Sequence, residues 1–153
     1  MKRRGFTMIE LLTVITVLGV LAQLAVLRYV DLRHRAVSVQ VISDLEAVRL
    51  AAYGRYYENQ QWAPDYGDGV TPPELTPFLP GGFKFTRSDY TMDWENLVPP
   101  GGGTSGSMQL GVVVTASNPR LATVLAQNLG NKLPFTVLGN TLTYVIIGPD
   151  GRF

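Results

Sequence analysis

Glu10 is the most unusual side chain of the sequence, because it is a charged residue in an apolar segment. It is the single charged residue between Phe6 and Leu27, in a segment that is otherwise uncharged and mostly apolar. A carboxylate in the interior of a membrane costs about 3 kcal/mol at most, less near the membrane edge, and such a group usually has a partner. We therefore expect Glu10 to have a partner.

Residue counts exclude several kinds of catalytic site. The 153 residues include no cysteine and one histidine, His34, which excludes thiol proteases, zinc ribbons, thiol redox enzymes and multi-histidine metal centres. Ser105 and Ser107 lie in a glycine-rich stretch without the pattern of a nucleophile elbow. We therefore expect no enzyme activity and no cofactor, with His34 as a solvated or lipid-headgroup-facing residue.

Carboxylates in the middle of the chain are the candidates for a metal site. Asp65 and Asp68 lie close together in a loop segment, but this segment lacks the alternating carboxylates of an EF-hand loop. The sequence predicts no metal site; the alternatives for Asp65 and Asp68 are weak calcium ligands or solvated turn residues. The formal net charge of +1 gives no general electrostatic reason to expect nucleic acid as a partner.

Glu10 is positioned by an apolar segment of residues 6–27, which we call the membrane segment. As a helix it rises about 33 Å, which matches a hydrocarbon core of about 30 Å. Its twelve Leu, Ile or Val residues from Ile9 onward favour insertion by about 5 kcal/mol, which exceeds the cost of Glu10. Lys2, Arg3 and Arg4 hold the N-terminus in the cytoplasm by the positive-inside rule. A cleavable signal peptide is the alternative, but no small-x-small pair follows Leu27.

The segment Gly5-Phe6-Thr7-Met8-Ile9-Glu10-Leu11-Leu12 resembles type IV prepilins and the pseudopilins of type II secretion systems. The likeness consists of a short basic leader ending in glycine, then phenylalanine, then glutamate four residues later, then an unbroken apolar run. It covers about residues 1–35, where Gly19, Tyr29 and Asp31 also match positions common in the family. Leu27 departs from the pattern, because many members have a proline there.

The resemblance implies a processing and assembly route. A prepilin peptidase would cut between Gly5 and Phe6 on the cytoplasmic side, releasing the leader of residues 1–5, and the new amino group of Phe6 would be methylated. Glu10 would then pair with the Phe6 ammonium of a neighbouring subunit in a helical filament. The partners implied are the peptidase, copies of the chain itself, sister pilins or pseudopilins, an inner-membrane assembly platform and the lipid bilayer.

The helix is expected to continue beyond the membrane segment. No glycine or proline occurs from Arg28 to Tyr53, and apolar residues recur at the three- and four-residue spacing of one helical face. These residues are Val37, Val41, Leu45, Val48, Ala52 and Tyr56, whereas Arg35, Gln40, Ser43, Asp44 and Glu46 occupy other faces. The pattern predicts one helix from Phe6 to about Tyr57, with residues 28–58 as its outer half.

Residues 59–153 are expected to form a globular α+β head. Proline and glycine indicate a packed loop from Asn59 to Gly82, with one helical turn around Glu74. The elements expected after it are a hairpin of Phe83–Arg87 with Tyr90–Trp94, a buried strand at Met108–Thr115, a short helix between Asn118 and Gly130, a hairpin of 135–137 with 141–147 around Gly139-Asn140, and a turn at Pro149–Gly151.

The fold class expected is therefore α+β and pilin-like, with a long N-terminal helix packed on an antiparallel sheet of about four strands. The function expected is a structural subunit of a filament, inserted in the bacterial inner membrane with the N-terminus in the cytoplasm and the head in the periplasm. The absence of cysteine and the short chain favour a pseudopilin slightly over a type IV pilin. The alternative is a membrane-tethered periplasmic binding module that does not polymerise, for which Glu10 has no use.

Overall fold

A computed structural model of the protein describes residues 6–96, 110–130 and 135–148. The elements in these ranges are helix α1 (Met8–Asn59), a 3-10 helix (Thr76–Phe78), strand β1 (Tyr90–Asn96), strand β2 (Leu110–Ala116), helix α2 (Pro119–Leu129), strand β3 (Phe135–Leu138) and strand β4 (Thr141–Ile147). The strands form one antiparallel sheet in the order β1-β2-β4-β3. The predicted α+β fold class, with a long helix and four antiparallel strands, is confirmed.

The chain divides into two units, Met1–His34 and Arg35–Phe153. In the first unit the described residues are helical from Met8 onward, and none of residues 6–34 is buried. The hydroxyls of Thr13 and Thr16 donate to the carbonyls of Ile9 and Leu12, each at 2.8 Å. Both hydroxyls therefore have a hydrogen-bond acceptor within the helix itself. Helix α1 thus contains an apolar stretch long enough to cross a membrane, none of it buried inside the protein.

In the second unit, α1 packs its apolar face on one face of the sheet. Val41, Leu45, Val48 and Ala52 are buried there, as the helical spacing predicts, and Val37 and Tyr56 are half-buried. The sheet contributes alternate residues of β1, β2 and β4 to the same core. These residues are Met92, Trp94, Val112, Val114, Leu142 and Tyr144. Helix and sheet therefore bury each other's apolar faces, as a two-layer fold requires.

Helix α2 and the last hairpin follow the sequence signals closely. The Asn118 side chain caps α2 by accepting a hydrogen bond from the Leu121 amide at 2.9 Å, Pro119 occupies the first turn, and the helix ends at Gly130. Gly139, with φ of 64°, begins the turn between β3 and β4. Both predictions are confirmed.

The predicted hairpin of Phe83–Arg87 with Tyr90–Trp94 is wrong in its first strand. Only one isolated bridge forms, between Thr86 and Thr91, together with two backbone hydrogen bonds: Met92 donates to the Phe85 carbonyl at 2.9 Å and Arg87 donates to the Tyr90 carbonyl at 3.0 Å. The preceding loop binds two backbone groups that a longer hairpin would pair with each other. The Gly69 amide donates to the Met92 carbonyl, and the Phe85 amide donates to the Thr71 hydroxyl. Strand β1 is instead paired along its full length with β2.

Two smaller differences concern element bounds. The helical turn expected around Glu74 is the 3-10 helix that begins at Thr76, just after it. The strand expected at Met108–Thr115 is β2, described from Leu110 to Ala116. The predicted leader with Gly5, the stretch with Ser105 and Ser107, and the predicted turn at Pro149–Gly151 lie outside the described residues.

Candidate functional site

The candidate site lies at the start of helix α1, where Phe6 and Glu10 are both described. Phe6 is 80% exposed and Glu10 is exposed one turn further along the helix. The apolar side chains around Glu10, those of Ile9, Leu11 and Leu12, are exposed as well. A carboxylate surrounded by exposed apolar side chains is an unusual surface for a protein in water and fits lipid or other protein chains.

Thr7 fixes the Glu10 side chain. The Thr7 amide donates to Glu10 Oε2 at 2.9 Å and the Thr7 hydroxyl donates to the same oxygen at 2.8 Å. In return the Glu10 amide donates to Thr7 Oγ1 at 3.3 Å. This reciprocal arrangement is a capping box, which satisfies backbone amides that the first helical turn leaves without a carbonyl partner. It explains why the helix begins at Met8.

The two Thr7 contacts leave Glu10 Oε1 available. Within residues 6–96, 110–130 and 135–148, no hydrogen bond reaches Oε1, and no ion pair joins Glu10 to another side chain. In the unprocessed chain the Phe6 nitrogen is a peptide amide and carries no positive charge. A cation for Glu10 can arise at Phe6 only after the bond to Gly5 is cut.

The sequence analysis named Phe6 and Glu10 but missed Thr7. The signal was present, because Thr7 and Glu10 have the Thr-x-x-Glu spacing of a capping box directly before an apolar helical run. Glu10 therefore has two roles: it is a charge in an apolar segment, and it is the third residue of helix α1, where it completes the capping box.

The calcium candidates Asp65 and Asp68 are exposed. The structure brings them near Asp93, where burial, followed by repulsion from Glu95, Asp68 and Asp65, raises the pKa of Asp93 to about 6. Burial and Asp65 also raise the pKa of Glu95. Among the described residues no group of three or more His, Cys, Asp or Glu side chains has a geometry that holds a metal ion. We derive no metal site from these residues.

Asp44 is the second residue that the sequence analysis misjudged. It was expected on a polar helix face, yet it is only 4% exposed. Its carboxylate accepts hydrogen bonds from Arg87 Nε at 2.7 Å, from the Tyr90 hydroxyl at 2.5 Å and from Gln40 Nε2 at 2.8 Å. These donors compensate the burial of the charge. Asp44 therefore ties α1 to the start of β1 and is a structural residue.

Known proteins are similar to this chain in its N-terminal residues and, in two cases, over three quarters of its length. A family model described as the prokaryotic N-terminal methylation motif matches residues 1–22. Two proteins of Pseudomonas aeruginosa, each named fimbrial protein, are 30% identical to this chain over 124 residues, which is 75% of this chain and 79% of theirs. The type IV narrow pilus major component PilA5 of Thermus thermophilus is 45% identical over 51 residues, which is 33% of this chain and 44% of that protein. No solved structure gives a significant match.

Proposed function

Because this chain belongs to the type IV pilin-like family, whose members are structural subunits, we propose that it polymerises into a filament from the inner membrane. The observation that carries the proposal is Glu10: an exposed carboxylate in an apolar helical segment, held by Thr7 on one oxygen and open on the other. A simple membrane anchor gains nothing from such a group, whereas a filament gains a defined register between subunits.

The proposed processing follows from family membership, which implies cleavage by a prepilin peptidase and self-assembly. The peptidase cuts between Gly5 and Phe6, and the new amino group of Phe6 is then methylated. The leader of residues 1–5 is removed, the membrane segment is the assembly helix, residues 28–58 are its outer half, and residues 59–153 form the head in the periplasm.

The cleavage creates the partner for Glu10. The ammonium of Phe6 in one subunit pairs with the Glu10 carboxylate of a neighbour, so that two charges that are costly alone in lipid offset each other. Only a processed chain has this ammonium, and processing therefore controls when subunits can assemble.

We assign the filament to a type IV pilus rather than to a type II secretion pseudopilus. The relatives named above are a fimbrial protein and a type IV pilus component, which outweighs the slight preference for a pseudopilin drawn from chain length and the absence of cysteine. Neighbouring genes test this assignment. A retraction ATPase gene supports it, whereas a secretion ATPase with an outer-membrane secretin and several sister pseudopilins contradicts it.

Mass spectrometry of the native N-terminus tests the processing. We expect N-methylphenylalanine at residue 6; an intact Met1 in filaments, or cleavage beyond Leu27, contradicts the proposal. The Glu10→Ala variant tests the pairing. It removes a charge from the apolar segment, which favours insertion, so a loss of filaments cannot come from failed insertion.

We expect Glu10→Ala to lower the constant for adding a subunit by roughly a hundredfold to several thousandfold, since breaking a buried charge pair costs about 3 to 5 kcal/mol. Glu10→Gln, which keeps an acceptor oxygen, is expected to be intermediate. The measurement is the yield of sheared filaments beside membrane fractionation of the same cells. Normal filaments from Glu10→Ala would contradict the pairing, whereas a failure of the unaltered chain to form any filament would support a membrane-tethered module that does not polymerise.

A further inference from the structure

The face of the sheet that points away from α1 carries a set of threonines, and we call it the threonine face. Its members are Thr91, Thr115, Thr136, Thr141 and Thr143, all half-buried or exposed. None of their hydroxyls has a hydrogen bond within the part of the chain that the structure describes. Every other described threonine uses its hydroxyl within the chain, as Thr76 and Thr123 do with carbonyls four residues earlier. The hydroxyls of the threonine face therefore remain as donors and acceptors for water or a ligand.

The strand register arranges these hydroxyls in two neighbouring rows across the sheet. Thr91 lies opposite Thr115, and Thr115 lies opposite Thr141, so these three residues form one row. Thr136 lies opposite Thr143 in the next row, two residues further along β4. Neighbouring strands lie about 4.8 Å apart, and residues two apart in one strand lie about 6.7 Å apart. The hydroxyls thus form a regular array that one extended polymer can contact at several points.

A depression of about 210 Å³ opens at one end of the first row. Its lining is mostly polar and consists of Arg87, Ser88, Thr91, Thr115 and Ser117, beside Tyr90 and Ala116. Arg87 donates through Nε to Asp44 at 2.7 Å, and its terminal nitrogens add further donors to the serine and threonine hydroxyls. The volume is below the about 300 to 1,000 Å³ of sites for drug-sized ligands. It suits a polar unit of the size of one sugar ring.

Charge and polarity restrict what the threonine face can bind. The four described strands contain no lysine or arginine, and Asp44 compensates the charge of Arg87 at the depression. Asp93 and Glu95 add two carboxylates to the same face, and Asp93 Oδ1 accepts no hydrogen bond from any described residue. A polyanion such as nucleic acid requires cationic contacts, and a stable protein interface requires an apolar core. A partner with many uncharged hydroxyls fits this face, because a hydroxyl both donates and accepts.

We propose that the threonine face binds a neutral polysaccharide, with one sugar unit in the depression and the sugar chain continuing along the two rows. Sugar hydroxyls donate to the free oxygen of Asp93 and exchange hydrogen bonds with the threonine hydroxyls. The inference goes beyond the proposed function and does not depend on it, because it uses no residue of the membrane segment.

The test removes hydroxyls and keeps the shape of the side chains. The main variant combines Thr91→Val with Thr115→Val, since valine is as favourable in strands as threonine. Thr115→Ser keeps the hydroxyl. Thr123→Val is the matched control, because the Thr123 hydroxyl is already bonded to the Pro119 carbonyl in α2. Thermal unfolding checks that each variant is folded, and Thr136→Val with Thr143→Val repeats the test in the second row if the first pair does not fold.

The full chain, in a detergent without a sugar headgroup, is incubated with insoluble cellulose, amylose and mannan, and with heparin as a polyanion. We expect retention on at least one neutral polymer and release by soluble oligosaccharides of the same sugar. The double valine variant should raise the dissociation constant roughly five- to a hundredfold, the effect of losing two neutral hydrogen bonds. Thr115→Ser and Thr123→Val should bind like the unaltered chain.

Four results would overturn the inference. They are retention on none of the neutral polymers, unchanged binding by the folded double valine variant, an equal loss in Thr123→Val, and tighter binding to heparin than to any neutral polymer. The proposed function fails separately, in the filament yield of the unaltered chain and of Glu10→Ala, which does not enter this binding measurement.

Discussion

The two parts of helix α1 are both rich in apolar residues but differ in what covers them. From Phe6 to His34 no described side chain is buried, and large apolar residues such as Leu18 and Leu24 are more than half exposed. From Arg35 onward the same helix alternates between buried residues such as Val41 and Leu45 and exposed charged residues such as Arg35. One helix thus contains an all-round apolar stretch and an amphipathic stretch.

The difference shows which surroundings each part is built for. An amphipathic stretch needs one apolar neighbour, which the sheet supplies within the second unit. A stretch that is apolar all round is stable in water only if something covers every face, which lipid or other subunits would do in the proposed filament. Stability of the head and assembly of the filament should therefore depend on different residues of one helix.

Removing residues 1–27 is the strongest way to separate the two parts. We expect the remaining chain of residues 28–153 to fold as a monomer, because its core is formed by residues from Val41 onward, and to lose membrane association and assembly entirely. Circular dichroism, thermal unfolding and size-exclusion chromatography measure this. A molten or aggregated fragment would show that the membrane segment is required for folding.

Two leucines in the amphipathic stretch sharpen the comparison. Leu45 is fully buried, whereas Leu50 is 70% exposed on the same helix. We expect Leu45→Ala to lower the free energy of unfolding of the fragment by about 2 to 5 kcal/mol, because it leaves a cavity against the sheet, and Leu50→Ala to change it by about 0.5 kcal/mol or less. Urea unfolding measures both. Equal effects would mean that burial does not distinguish the two faces.

Replacing Asp44 tests whether a buried polar contact also stabilises the head without affecting assembly. Asp44→Ala leaves the Tyr90 hydroxyl and Arg87 without their acceptor, and we expect a loss of about 2 to 3 kcal/mol in unfolding free energy. Asp44→Asn, which keeps one acceptor oxygen, should lose less. Glu46→Ala is the control, because its contact with Arg49 is a half-exposed pair at 3.5 Å that contributes about 1 kcal/mol or less. Filament yield at a temperature where the head stays folded should not change.

The smallest expected effect concerns pH. The pKa of Asp93 is raised from 3.8 to about 6 by burial and by Glu95, Asp68 and Asp65, so the folded head binds this proton more tightly than the unfolded chain. Unfolding free energy should therefore fall as pH rises from about 4 to about 6. The full difference corresponds to about 3 kcal/mol, and we expect about 1 kcal/mol because the carboxyl is partly exposed to solvent.

Asp93→Asn should remove most of this pH dependence and raise stability at neutral pH. Glu58→Gln, at the exposed end of α1, is the matched control and should leave the dependence as it was. Denaturant unfolding of the fragment at several pH values measures all three proteins. An unchanged slope in Asp93→Asn would assign the dependence to other carboxylates.

Local signals predicted the elements that depend on local physics. The four-three-four spacing of Val41, Leu45, Val48 and Ala52 identified the buried helix face, and Asn118 before Pro119 marked the start of α2, because periodicity and capping act within a few residues. The strand predicted at Phe83–Arg87 does not form, because contacts with residues outside this segment decide its structure. Its alternation is that of a strand, but a loop distant in sequence binds the backbone groups that a hairpin would use.

The sequence by itself determined the properties of the N-terminal region that depend on consecutive residues: one charge in an apolar run, a basic segment that ends in Gly5, and an apolar length that matches a bilayer. The tertiary structure alone decided that Asp44 is buried, that β1 pairs with β2, and that burial, followed by acidic side chains from a loop and a strand, raises the pKa of Asp93. These features require residues distant in the chain to meet. Solvation and register between such residues depend on the folded geometry, which periodicity along the chain does not encode.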